Sequence, residues 1–230
     1  MTRFADILDA AREAFIENAG FRRTQMAEVA LRVGGAPGTL YLYVTSKEGL
    51  FEAAVFAAED ANWPAQQRLP YQARPIPELI SEILSRMNAN IDALATVRAA
   101  VASNRCAGYD EFLTILGEYH DLVHKYRKVI KVIESCAADF PDLAAMYWSN
   151  GRTRVAGLLV EYFEIARQTG ALQMVGDPLS SARHIIETFA FWALHRHWDA
   201  SPMNFDEKTV RSNAIAFAAA PFRPLGQSGE

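Results

Sequence analysis

The sequence predicts an all-α protein built of a short N-terminal three-helix domain and a larger helical domain. Three observations carry this. Apolar residues recur at three- and four-residue spacing along most of the chain, glycine and proline gather between those stretches, and no run of alternating β-branched residues marks a strand. The 230 residues exceed one small domain and suit one large domain or two unequal ones.

In chain order, Ile7, Leu8, Ala11, Ala14 and Phe15 share one face of a first helix, and Gly20 is expected to cap its C-terminus. Thr24 is expected to cap a second helix with Met26, Val29, Ala30 and Val33 inward, and Gly34 and Gly35 allow a sharp turn after it. Pro37 suits the first turn of a third helix running through Thr39 to Tyr43. Ser46 is the predicted cap of a fourth helix carrying Leu50, Phe51, Ala54, Val55 and Ala58. Pro64, Pro70, Pro75 and Pro77 interrupt any helix over 63–77, which is the predicted connecting loop between domains at 1–62 and 78–222. Beyond it, periodicity predicts helices near 77–95, 110–138, 142–169, 178–198 and 206–219 and assigns nothing firm between 96 and 109. Asp177 before Pro178 is a helix start, Pro141 and Gly170 bracket another helix, and 223–230 is expected to be a disordered tail.

Composition narrows function. Half the residues are hydrophobic, 11% aromatic and 22% charged, a globular balance rather than a disordered one. A net charge of −4 argues against a surface that coats nucleic acid throughout, so any such site is local. No stretch reaches the roughly 18 apolar residues of a membrane span, and Arg3, Asp6 and Asp9 stand where a signal peptide needs an apolar run, so a cytoplasmic location without membrane contact is expected. Cys106 and Cys136 lack a C-x-x-C spacing and are expected reduced and buried.

Residues 24–50 read TQMAEVALRVGGAPGTLYLYVTSKEGL. With Ile7, Leu8, Ala10, Ala11, Phe15 and Gly20 upstream, this string resembles the DNA-binding segment of the tetracycline-repressor (TetR) family in order and spacing, over about the first 60 residues. The matching positions inside it include Thr24, Val29, Ala30, Gly34, Gly38, Thr39, Leu40, Tyr41, Tyr43, Ser46, Lys47, Glu48 and Leu50. The resemblance implies a helix-turn-helix over 25–44, a C-terminal ligand-binding and dimerisation domain, and a homodimeric, non-enzymatic transcriptional regulator. Double-stranded operator DNA and a small-molecule effector are its implied partners, with no cofactor and no metal. Repression of a palindromic operator, relieved by a small apolar or aromatic ligand, is the implied default.

By the same resemblance Pro37, Gly38, Thr39 and Leu42 lie at groove-facing positions, where Gly38 leaves room, the Thr39 hydroxyl reaches a base edge or phosphate, and Leu42 offers only apolar contact. Tyr41, Tyr43 and Lys47 are implied phosphate partners, Lys47 aided by the start of helix four. Thr24 corresponds to a position that both caps helix two and touches the DNA backbone, and Arg22 and Arg23 are further candidates. Packing between helices remains the alternative for Tyr41 and Tyr43, capping alone for Thr24, and a solvated loop for the arginines. The chain departs from the family where Gly35 and Ala36 replace an apolar residue and a polar cap, a loss of about 1 kcal/mol, and where Gly49 replaces the residue that completes a capping box. Residues 1–50 are also formally neutral, with Arg3, Arg12, Arg22, Arg23, Arg32 and Lys47 against Asp6, Asp9, Glu13, Glu17, Glu28 and Glu48, so modest affinity is expected.

Other constellations invite rival readings. His120 and His124 share a helix face at the spacing of metal ligands, and the alternative function is a helical metal-dependent hydrolase centred on them. Asp121, however, stands where such enzymes have Glu, and a polar role in a pocket or an ordinary packed pair explains them as well. His124, Arg127, Lys128 and Lys131 form a basic stripe, either a solvated face or a second nucleic-acid surface. His195 and His197, two apart, are not expected to act jointly. Among the aromatics of the second domain, Phe112, Tyr119, His120, Tyr126, Tyr147 and Trp148 are the expected ligand-pocket residues. The dimer interface is expected on stripes Val155, Leu158, Leu159, Tyr162, Phe163 and Ala182, Ile186, Phe189, Ala190, Ala193, with burial inside one subunit as the alternative.

Overall fold

A computed structural model describes residues 3–224. Among them run α1 (Arg3–Glu17), α2 (Met26–Arg32), α3 (Pro37–Leu40), α4 (Lys47–Glu59), α5 (Ile76–Asp92), α6 (Ala95–Ala102), α7 (Tyr109–Ser135), α8 (Pro141–Thr169), α9 (Pro178–Phe189) and α10 (Glu207–Ala219). The described residues contain no strand, only an isolated bridge between Val44 and Tyr71. Of the expected tail, 225–230 lie outside the described residues, while the Arg223 guanidinium sits 5.1 Å from the centre of the Tyr109 ring.

The chain divides into two compact units, residues 1–84 with 126–146, and 85–125 with 147–230. The predicted loop at 63–77 therefore lies within the first unit. It is docked rather than slack: Trp63–Gln66 forms a 3-10 turn, Tyr71 N–H donates to Tyr43 O at 2.7 Å, and Thr45 N–H donates to Tyr71 O at 2.9 Å.

Local chemistry explains the helix boundaries. Ser46, Asp177 and Asp206 cap α4, α9 and α10, their side chains accepting from Gly49, Ser180 and Thr209 N–H. The end of α1 departs from expectation. Gly20 N–H bonds Phe15 O and Ala19 N–H bonds Ile16 O, a Schellman closure whose left-handed position is Ala19, at φ 50°, and not Gly20. Gly20 takes a φ of 155°, which side-chain-bearing residues rarely adopt, and a Cβ there would also lie 2.8 Å from Asp139 Oδ2. Thr24 does not cap α2, since Gln25 occupies that position without a side-chain bond. The α6 start, which has no local signal, is capped from a distance, the Glu118 carboxylate accepting from Thr96 N–H and Oγ. The predicted helix 178–198 is regular only to Phe189 and continues as a π turn over Ala190–Leu194 and a 3-10 turn over His195–Trp198.

In the first unit α1, α2 and α4 enclose Ile7, Leu8, Phe15, Val29, Leu40, Leu50 and Phe51. Phe140, just before α8, closes this core by stacking on Phe51 at 4.9 Å and meeting Phe21 at 5.0 Å. The second unit centres on Phe112, Tyr162, Phe163 and Phe222, with Phe163 and Phe222 stacked at 5.0 Å. Cys106 Sγ donates to Tyr162 Oη at 3.1 Å in this core, and both cysteines are unpaired and buried. The two stripes expected at a dimer interface are core instead: Val155, Leu159, Tyr162, Phe163, Ala182, Ile186, Phe189, Ala190 and Ala193 are all buried within one chain, and Leu158 is partly so. Among the described residues no helix is long and apolar enough to cross a membrane.

Candidate nucleic-acid interface

The candidate interface is built from α1 to α4. Arg12 of α1 is buried, pairs with Asp9, and donates to Ala54 O of α4 at 3.3 Å; burial, partly opposed by Glu13, pulls its guanidinium down to about 10. Arg32 bridges Glu17 and Glu28 at 2.7 and 2.6 Å, locking α2 to α1. Arg3 donates to Val33 O across the α2–α3 turn. These contacts join α1 to α2, to the turn before α3 and to α4.

Pro37–Leu40 is short because Ala36 offers no side-chain cap and Gly38 sits inside it. The turn nonetheless continues in tighter form, Tyr41, Leu42 and Tyr43 N–H donating to Gly38, Thr39 and Leu40 O. Pro37, Gly38 and Leu42 stand exposed, Leu42 at 68%, and Tyr41 at 53%, while Thr39 is half-buried. A Cβ added at Gly38 would meet nothing within 4 Å, so no packing within the chain calls for glycine there.

Three predicted contacts prove more inward. Thr24 is 1% exposed, and its hydroxyl donates to Gly20 O at 2.9 Å with Ala14 O at 3.2 Å, tying the α1 end to the approach to α2. Tyr43 is half-buried and stacks on Phe4 at 5.9 Å. Lys47, first residue of α4, holds its ammonium 4.5 Å above the Phe21 ring and 3.4 Å from Arg22 O. Arg22 itself is held by Asp139, which accepts from its backbone N–H at 2.9 Å.

Two features had no signal in the local pattern. Gly49 is required by proximity, since a Cβ would lie 3.2 Å from Tyr71 O and 3.5 Å from Ala73 N, where the docked loop crosses the first turn of α4. Glu52, fully buried, accepts from Tyr71 Oη at 2.8 Å and Arg74 N–H at 2.7 Å, with Arg74 Nε at 3.4 Å. This network fastens the loop to the end of the helix-turn-helix.

The six residues expected around a ligand are dispersed. Tyr126 falls in the first unit and the other five in the second. There Phe112 is packed among Tyr162, Phe163 and Phe222, Tyr119 and His120 meet Phe189, and Tyr147 and Trp148 touch edge to face. A cavity of about 110 Å³ in the second unit is lined by Trp192, Phe205, Thr209, Val210, Asn213, Ala214 and Phe217, and includes none of the six. The geometry gives no help to a hydrolase at His120 and His124: the rings stack at 6.1 Å, His120 is 3% exposed, and both Asp121 oxygens accept from Arg211, at 2.7 and 2.9 Å.

Residues 7–54 match the family of bacterial regulatory proteins called tetR. The whole chain is similar in fold to a TetR-family transcriptional regulator from Mesorhizobium loti, at 20% identity over 95% of this chain and 94% of that one, with a TM-score of 0.50. It is also similar to a bacterial regulatory protein in the tetR family from Rhodococcus RHA1 (16% identity, 97% and 98% covered, TM-score 0.52). A third likeness is to AibR, solved with isovaleryl coenzyme A and operator DNA (17% identity, 94% and 97% covered, TM-score 0.52). No curated protein matches the chain.

Proposed function

We propose that this chain, whose residues 7–54 match the tetR family of bacterial regulatory proteins, is a transcriptional regulator that binds a roughly palindromic operator as a homodimer, represses there, and is released by a small apolar or aromatic ligand held in the second unit. The observation that carries the DNA reading is α3 and the turn after it, where Pro37, Gly38, Tyr41 and Leu42 stand exposed beside an α2 tied to α1 through Arg32. Exposed Leu42 and Tyr41 have little purpose in a free domain and suit a groove, Leu42 against a thymine methyl and Tyr41 against phosphate. Thr39 supplies the polar contact to a base edge, and Lys47 the charge at the helix-four N-terminus. Thr24 and Tyr43 contribute chiefly by shaping the head, their side chains being held inside it.

A two-fold partner supplies the second half-site, about one DNA turn away. With the former stripes buried, the partner is met by exposed apolar residues of the second unit, among them Leu179, Phe191 (43% exposed) and Phe217 (79%). AibR, which carries both a thioester ligand and operator DNA, supports a ligand-responsive regulator. The cavity of about 110 Å³ is nevertheless below the roughly 300 Å³ at which small-molecule sites begin, which favours a compact effector over a coenzyme A thioester at that cavity. The test is fluorescence anisotropy of the full chain on DNA upstream of its own gene, with sedimentation of the free protein. Saturable binding that survives competitor DNA, by a 51 kDa species, is expected; binding no tighter than to unrelated DNA, or a 25.5 kDa species alone, overturns the reading.

A further inference from the structure

We propose that His124, His197 and Glu207 form a binding site for a divalent first-row cation of the zinc type in the second unit. The three residues come from separate segments: α7, the 3-10 turn after α9, and the first turn of α10. Their donor atoms nevertheless all lie within 4.8 Å of one another. The His124 and His197 ring centres are 5.6 Å apart, and His124 Nδ1 is 3.8 Å from a Glu207 carboxylate oxygen. Bonds of about 2.0–2.1 Å in tetrahedral array put donor atoms roughly 3.3–3.4 Å apart, so an ion needs an inward shift of up to about 1.4 Å in the widest pair. Glu207 is more than half exposed, and its flexible side chain can supply most of that shift.

The donor set decides the class of ion. Two imidazoles and one carboxylate suit zinc, nickel, cobalt or copper, whereas magnesium and calcium call for oxygen ligands throughout. Three protein ligands leave a fourth position to water or another small ligand. The neighbouring charges set the strength. Arg196 Nη2 lies 2.5 Å from Glu207 Oε2 and competes with the ion for that carboxylate, so the site binds more weakly than one whose carboxylate has no cationic neighbour. Because the ligands sit on three segments, an ion would pin the start of α10 and the irregular turn 195–198 to α7, raising the unfolding midpoint with metal concentration.

The experiment uses the untagged full chain, stripped with chelator and titrated with Co2+. One cobalt per chain, with the visible absorption of a four- or five-coordinate ion and displaced by Zn2+, is expected. His197→Ala should weaken uptake by at least about tenfold, and Glu207→Gln, a near-isosteric change at an exposed position, should do so as well. The zinc-induced rise in melting temperature should vanish in both variants, whose metal-free melting reports that they fold. No saturable uptake below about 100 µM, or uptake that either folded variant leaves unchanged, overturns the site.

Discussion

Gly38→Ala separates the needs of folding from those of DNA binding. In the free protein a methyl at this position meets nothing within 4 Å, and the backbone is not in the left-handed region, so the substitution carries no steric cost. Replacing glycine by alanine in a helical turn returns about 0.5–1 kcal/mol, which in a chain of this size is a rise of about 1–4 °C in melting temperature. On DNA the same methyl points out of a turn whose neighbours Pro37 and Leu42 are exposed, where the resemblance sets the closest approach to the groove. A displacement of one groove contact costs about 1–3 kcal/mol per head, and a dimer carries it twice, so operator affinity should fall by at least about thirtyfold. Calorimetry and anisotropy on the same preparations read both effects. A variant that is more stable and binds as well as the parent refutes the placement of Gly38 at the groove; one that is less stable refutes the open environment.

Further outcomes follow from other contacts. Lys47→Ala should flatten the salt dependence of operator binding by about 0.9 per head, about 1.8 per dimer, so that the parent loses about tenfold more affinity between 50 and 200 mM salt; equal slopes remove Lys47 from the phosphate contacts. Glu52→Gln leaves one of the donors from Tyr71 and Arg74 without an acceptor and should destabilise by about 1–3 kcal/mol, measured by urea unfolding, and an unchanged midpoint contradicts the buried network. Ala19→Gly relieves an alanine at φ 50° and should stabilise by about 0.5–1 kcal/mol in the same assay. Burial first, with Asp139 adding to it, pushes the Cys136 thiol up to about 12, so iodoacetamide at pH 8 should leave Cys136 unlabelled in the folded protein and label it in urea; fast native labelling contradicts this environment.

The sequence is informative where a signal is short-range. Asp177 before Pro178 and Ser46 before Lys47 fix helix starts because a cap is a bond between residues three apart. The string from Thr24 to Leu50 likewise carries the resemblance to the TetR DNA-binding segment, since the glycine turn and the apolar face are both local. At the end of α1 the expected Gly20 does close the helix, its N–H donating to Phe15 O, but the residue at φ 50° is Ala19. Both residues take a positive φ, Ala19 at 50° and Gly20 at 155°, and only the structure shows that a residue with a side chain carries the first of the two.

By itself the sequence determined an all-helical chain and the first helix starts, because periodicity and capping act over a few residues, and roughly its first 60 residues carried the resemblance that the match over 7–54 bears out. Only the tertiary structure decided which apolar stripes are core. Val155 and Phe163 read equally well as a subunit interface, for periodicity marks an apolar face without saying what covers it. The tertiary structure likewise decided the polar clusters. Glu52 meets Tyr71 and Arg74 from about twenty residues away, and His124 meets His197, not the expected His120 alone, across more than seventy. Such partners are chosen by how helices pack, and the free energy that selects them is shared among contacts distant in sequence.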